Sequence, residues 1–390
     1  MKKSLFTTGI SLTLLLLTLT GCTPNHQGDA DGTIKVSSTA DTCEVSATEA
    51  KAGKITFSVT NDGQEVTEFY VLAEDGLRIL SEVENIGPGI TRDLTVELSE
   101  GKYKTSCKPG MVGDGIVGDF SVTSNPDATT VSKDEQALRD TAIAQYTSYV
   151  KDQIEQLSTA TDKFAEAYKS GDTEKAKELY PAARLHFERI EPVAESFGDL
   201  DPQLDAREAD LEDGQKWTGW HKIEKDLWQP STSENDGKKY TPLTGQQRTE
   251  VADQLVKDTA SLYDQTRDLD LTVDQIANGA KSLLDEVTAS KVTGEEEIWS
   301  HTDLSDFQGN VDGARVAFED LRPIVDSKNP ELAKTIEEKF KEVQSLLDEH
   351  RDGKGFASYQ DLSKDQIRDL SDAIDALSEP LSKLTGVVVS

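Results

Sequence analysis

Between residues 32 and 123 apolar and polar positions alternate in short runs. TIKVSS, KITFSVT, TEFYVLA, RDLTVEL and GDFSVT place β-branched or aromatic residues at every second position, and AG, NDG, EDG, GPG, SEG and KPG fall between the runs. A period of two broken by turn chemistry predicts strands of a small β-sandwich. SNPDATTVSKD has no periodicity and predicts a linker over residues 124–133. From residue 134 to 390 the spacing becomes helical. Tyr146, Tyr149, Val150, Ile154 and Leu157 form one stripe, and Leu262, Leu269, Ile276, Leu283, Leu284 and Val287 form another. A long run of amphipathic helix buries such stripes most simply as bundles.

The helical region echoes itself. ARLHFERIEPVA at 183–194 aligns without gaps on ARVAFEDLRPIV at 314–325, matching Ala183 with Ala314, Arg184 with Arg315, Phe187 with Phe318, Glu188 with Glu319 and Pro192 with Pro323. A repeat of this spacing predicts a duplicated unit, hence a pair of related bundles. The second copy has Ala317 in place of His186 and Arg322 in place of Glu191, so chemistry is expected to centre on the first half.

The N-terminus, MKKSLFTTGISLTLLLLTLTGC, has a basic start, an apolar run too short to span a bilayer comfortably and small residues before a cysteine. It predicts an export signal over residues 1–21. Its ending resembles a bacterial lipobox, which makes Cys22 the lipid anchor that holds the body at the outer face of the cytoplasmic membrane. Spending Cys22 on lipid leaves Cys43 and Cys107, which in an oxidising exterior read first as a disulfide. The chain carries 41 basic and 73 acidic side chains, a formal charge of −32. That balance excludes nucleic acid as a partner and favours cations.

Against this background, TGWHKIEKDLW at 218–228 stands out in a chain of five histidines. At about 100° per residue, Trp220, Ile223 and Leu227 share an arc, with Lys222, Lys225 and Asp226 opposite. His221 and Glu224 border the apolar arc and are expected to face the bundle interior together, where an imidazole and a carboxylate three residues apart can grip one ion. The bland alternative is a pair bonded only to each other. Upstream, Glu188, Glu191, Asp201, Asp205 and Glu208 supply further carboxylates, while His186 lies in an apolar arc and reads as a core histidine bonded to a neighbour. A zinc peptidase needs a second histidine near the ion, and Lys225 follows Glu224, so an enzyme is not expected.

Taken together, the leader, the small β domain and the segments ERIEP, FGDLDPQLDARE, GWHKIEKDLW, KSLLDEVTASKVTGEEEIWSHTDL and GFASYQDL resemble the EfeO family of extracytoplasmic components of Efe iron uptake systems. The resemblance covers nearly the whole mature chain. It implies a multidomain α plus β fold, with a cupredoxin-like β-sandwich followed by an all-α imelysin-like (M75) pair of helical bundles. It implies iron, Fe²⁺ or Fe³⁺, as cargo, and an EfeU-type permease and an EfeB-type haem-dependent peroxidase as partners. Carried onto this chain, the metal ligands are His221, Glu224, Glu188, Glu191 and Asp205, with Asp201, Glu208, Glu296, His301 and Asp303 as a second tier.

A set of carboxylates with one imidazole suits a hard or borderline ion; zinc fits it too, and copper less well. In the β domain no histidine lies between His26 and His186, so a two-His, one-Cys copper site cannot form. The resemblance implies instead a ligand set near Cys43, Glu68 and Cys107, with Thr105 where a methionine is expected and Met111 close by. A disulfide and a thiolate metal site both stay open for the two cysteines. Two other functions also remain, an M75-type metallopeptidase and a polysaccharide-binding or adhesive surface protein.

Overall fold

Nine strands, β1 (Thr33–Ser38), β2 (Cys43–Val45), β3 (Glu49–Lys51), β4 (Gly53–Asn61), β5 (Thr67–Ala73), β6 (Ile79–Ile86), β7 (Thr91–Leu98), β8 (Gly101–Cys107) and β9 (Ile116–Thr123), open the computed structural model of the chain. It describes residues 33–390 apart from 75, 77, 78, 112–114, 127–131, 199, 212, 213, 236, 267, 268 and 290. The leader, Cys22 and the middle of the linker, residues 127–131, lie outside the described residues.

The strands form two sheets, in the orders β2-β1-β4-β7 and β3-β9-β8-β5-β6. Alternation works as the pattern requires: Ile55, Phe57 and Val59 of β4 turn inward, and the residues between them do not. Phe57 of the first sheet meets Phe69 and Phe120 of the second, with ring centroids 5.2 and 5.4 Å away, so the two inner faces share one core. A disulfide joins Cys43 on β2 to Cys107 on β8 and ties the sheets together.

The helices are α1 (Lys133–Ser170), α2 (Thr173–Glu188), α3 (Leu200–Asp205), α4 (Trp220–Trp228), α5 (Gly245–Gln265), α6 (Val273–Ala289), α7 (Asp303–Lys328), α8 (Pro330–Glu349), α9 (Lys364–Leu381) and α10 (Leu384–Val388). One group packs α1 against α2 and α5, with α4 wedged beside them; a second packs α6 to α9; and α7 lies along α1 and α2, so both groups share a continuous core. The stripe drawn through Leu262, Leu269 and Ile276 is not one helix. α5 ends at Gln265, Thr272 and Gln275 exchange side-chain bonds with each other's backbone amides to start α6, and Leu269 packs in from the connection.

Sequence similarity also overstates the repeat. The second copy runs straight through α7 with Pro323 inside it, whereas the first leaves its helix at Glu188 and becomes a 3₁₀ segment over Glu191–Phe197. Arg184 is wholly buried and Arg315 is 45% exposed.

Helix α6 faces the sandwich. Asn278 Nδ2 donates to Ser81 Oγ (2.9 Å) and the Thr95 carbonyl (2.8 Å), Arg92 pairs with Asp285 at 2.7 Å, and the Glu97 amide donates to Asp274 Oδ2 at 3.0 Å.

Candidate metal centre

Helix α4 starts where only glycine can. Gly219 has φ +85°, and a Cβ there would lie 2.1 Å from the Leu204 carbonyl oxygen at the end of α3. The close approach brings His221 and Glu224 beside Asp205. Lys225 and Asp226, placed by the helical wheel away from the core, are buried as well. Asp226 accepts from Tyr168 Oη (2.8 Å), Tyr240 Oη (3.1 Å) and the Leu243 amide (2.7 Å), and pairs with Arg248. Lys225 pairs with Glu208 and stands over the rings of Trp299, Trp217 and Tyr240. A wheel drawn on one helix cannot anticipate this, because the connections before and after α4, α5 and the segment at Trp299 close over the face.

His221 sits between two acidic groups. Its Nε2 is 3.4 Å from Asp205 Oδ1 and 3.5 Å from Glu296 Oε1, and its Nδ1 is 3.4 Å from Glu224 Oε2 and 3.8 Å from Glu297 Oε1. Donor atoms of Asp205, His221 and Glu296 all lie within 4.8 Å of one another, as do those of His221, Glu224 and Glu297. The imidazole is 1% exposed, and its Nε2 makes no hydrogen bond. Glu224 is aimed by the backbone: its Oε1 accepts the Trp299 and Ser300 amides at 2.9 and 2.7 Å. Glu297 accepts from Tyr180 Oη at 3.1 Å and from Ser300 Oγ.

Glu188 and Glu191 are close by but engaged differently. Lys291, 1% exposed, places Nζ 3.2 Å from Glu188 Oε2 and 2.7 Å from Glu191 Oε1. Asn310 donates to the same two carboxylates at 2.9 and 2.5 Å. Arg184 takes the other oxygen of Glu188 at 2.5 Å and also reaches Asp205, Glu296, Glu297 and Asp306. These two acids therefore hold fixed cations, and the donor clusters that could grip an ion lie on the His221 side. The approach of α7 to the end of α2 depends on Gly309, where a Cβ would lie 2.5 Å from Glu188 Cβ.

Carboxylates outnumber cations here, and proton affinities divide accordingly. Burial drives Glu297 and Asp306 well above the usual carboxylate range, and it lifts Asp303 to about 7. Burial would do the same to Glu296 and Asp205. Lys291, His221 and Arg184 overcome it for Glu296, and Arg184 and His221 do so for Asp205, leaving both below that range. For His221, burial and Arg184 act against the proton, yet Asp205 and Glu224 win and keep its pKa well above the ordinary value. The mixture is a buried anionic site in which protons and two basic side chains stand in part for positive charge. Both oxygens of Asp306 and Oδ2 of Asp303 lack hydrogen-bond partners.

Of the second tier, Glu296 joins the donor cluster, and Asp303 lies just behind it, accepting the Glu297 amide at 3.2 Å. Asp201, Glu208 and His301 are in neither cluster, Glu208 being drawn out to Lys225. His186 bonds Gln153 Oε1 through Nδ1 at 3.0 Å, the neighbour bond expected of it, but from a half-buried position and not from the core.

Sequence reasoning passed over Glu297, Arg184, Lys291, Asp306 and Asn310. The GEEEIW run drew attention to one of its glutamates, and Arg184 looked like a conventional repeat position. Glu296, Glu297, Lys291 and Asp306 come from the second half of the helical region, so the centre is not confined to the first. In the sandwich, Cys43 and Cys107 are consumed by the disulfide and are not thiolate ligands. Glu68 is bound to Tyr70 Oη.

Comparisons with known proteins agree with this architecture. The imelysin family model (peptidase M75) matches residues 142–384, and the cupredoxin-like domain model matches residues 11–120. The chain is 37% identical over 358 residues to the iron uptake system component EfeO of Escherichia coli O1:K1, covering 91% of each protein, and 36% identical over the same length to that of strain K12. It is 42% identical over 269 residues to an Efem/EfeO family lipoprotein of Staphylococcus haemolyticus, covering 68% of this chain and 90% of that one. Among the described residues no helix is long and apolar enough to cross a membrane. With a cupredoxin-like sandwich, an imelysin region around a buried His and carboxylate cluster, and likeness across nine-tenths of its length, this chain belongs to the EfeO family.

Proposed function

We propose that the chain is the extracytoplasmic metal-binding component of an Efe-type iron uptake system, held at the membrane through Cys22, which captures iron at His221 and its carboxylates and passes it to a membrane permease. The observation that carries this reading is the buried imidazole whose Nε2 has no hydrogen-bond partner, set among acidic oxygens within 4.8 Å. A buried nitrogen held only by ion pairs at 3.4–3.5 Å, without a hydrogen bond, amid an excess of carboxylates is costly, and a cation among those oxygens resolves that cost. His221, Asp205 and Glu296 form one face of such a site, and Glu224 and Glu297 the other. One nitrogen and several oxygens suit iron, with zinc as a competitor. The names of the relatives, iron uptake system component EfeO, support iron as cargo and a place in a system of several components; an EfeU-type permease and an EfeB-type peroxidase are the partners we propose for it.

A binding role also fits Glu224 better than hydrolysis does. A zinc peptidase needs a second histidine beside the ion, and His221 is the one histidine in either donor cluster among the described residues, while two backbone amides orient Glu224 toward the cluster.

The test is the double variant His221→Ala with Glu224→Ala, assayed for bound iron after equilibrium dialysis. Stoichiometric loading of the parent and a loss of at least about tenfold in affinity, or roughly 1.4 kcal/mol, are expected with the helical circular dichroism unchanged. Unchanged iron binding would overturn the assignment.

A further inference from the structure

A cavity of 890 Å³ opens on the His221 side of the metal centre, and His221 and Glu296 form part of its wall. Cavities of about 300–1,000 Å³ are the size that accepts small organic molecules, far beyond what a single ion fills. Its wall is also unusual for this chain. In a protein of formal charge −32, Lys222, Lys238 and Lys239 line the cavity with no carboxylate partner among the described residues. Lys238 and Lys239 are exposed; Lys222 is half-buried and donates to the Trp217 carbonyl at 2.9 Å.

Deeper in the wall, Arg207 Nη1 lies 3.5 Å from Glu296 Oε2 and makes no hydrogen bond, and the indole N–H of Trp299 has no acceptor. Of the wall acids, Glu208 pairs with Lys225 and Asp210 with Arg207, whereas Glu234 accepts the Ser231 amide and Glu295 is exposed, neither with a cationic partner among the described residues. An entry for bare cations would present unpaired carboxylates, because a field of the opposite sign raises the local concentration of the ion. Beside Glu234 and Glu295, this one presents three lysines without carboxylate partners and two buried donors without acceptors in front of an anionic centre.

We propose that the cargo arrives as an anionic carboxylate chelate of the metal. The metal faces His221 and Glu296, and free carboxylates of the chelator lie on Lys222, Lys238 and Lys239, through charge-assisted bonds of the kind lysine offers to oxyanions. This rests on the metal-site reading above.

Calorimetric titration of the full chain with ferrous ion and, separately, with ferric citrate tests it. Lys238→Gln with Lys239→Gln, both exposed and outside the metal cluster, should weaken ferric citrate by about tenfold and change ferrous ion by less than about twofold. Lys222→Gln, prepared separately, should do the same, and added salt should narrow the difference from the parent. Equal losses for both ligands, or no loss for either, would overturn the proposal. So would a parent that binds ferrous ion but not ferric citrate, and in that case the metal centre would stand. If the parent binds neither, or if the variant lacking His221 and Glu224 binds both as the parent does, the metal-site reading itself fails.

Discussion

A guanidinium with no exposed surface, Arg184 reaches five carboxylates drawn from both halves of the helical region. Removing one partner of a buried ion network leaves charge uncompensated, typically at about 3–5 kcal/mol. Arg184→Met should therefore destabilise the chain by that amount in urea unfolding, and iron should restore more stability to the variant than to the parent; a loss under about 1 kcal/mol would contradict this role. His221 makes a second prediction at the same scale. Asp205 and Glu224 hold its proton against burial, so the folded-state pKa is raised. A metal binds the neutral ring, and the ion must expel that proton. Iron affinity is expected to fall as pH drops, with proton release at neutral pH. Titrations in two buffers of different ionisation enthalpy measure it directly, and identical heats would refute it.

At the scale of elements, the centre depends on how closely segments approach. Gly309 lets α7 touch the end of α2 at Glu188. Gly309→Ala would force the two apart and is expected to cost about 1–3 kcal/mol of stability, as overpacking does, with weaker iron binding as Glu188 and Arg184 shift. A variant with parental melting temperature and affinity would show that the contact has slack.

The elements also show where pattern reading stops. β4 and β5 are plain in KITFSVT and TEFYVLA, yet β8, paired between β5 and β9, is not, because GKYKTSC has one aromatic residue between two lysines and then only small or polar residues. Its burial comes from neighbours rather than from its own composition. The false continuity from α5 to α6 has a similar cause, since Leu269 keeps a helical interval while packing from a connection.

Across the whole molecule, the sandwich and the helices have separate cores, joined along α6. The disulfide closes a sequence separation of 64 residues within the first core alone. Chain entropy places its contribution at roughly 4 kcal/mol. Reduction, or Cys43→Ser with Cys107→Ser, should lower the melting of the sandwich and leave the helical transition near its original temperature in calorimetry. A single transition that falls as a unit would mean that the α6 interface couples the two.

What the amino-acid order determined by itself was local and periodic. The switch from period two to helical spacing, the turn residues and the His221–Glu224 interval follow from residues a few positions apart, and so does the inward tilt of that pair. Tertiary structure decided the ion-binding group. His221 meets Glu296 and Glu297 across about 75 residues, and Arg184 and Lys291 settle which acids remain available, because they arrive from α2 and from the turn after α6. Distances of that kind are set by packing and by the balance of buried charge, and neither is carried in any short window of sequence.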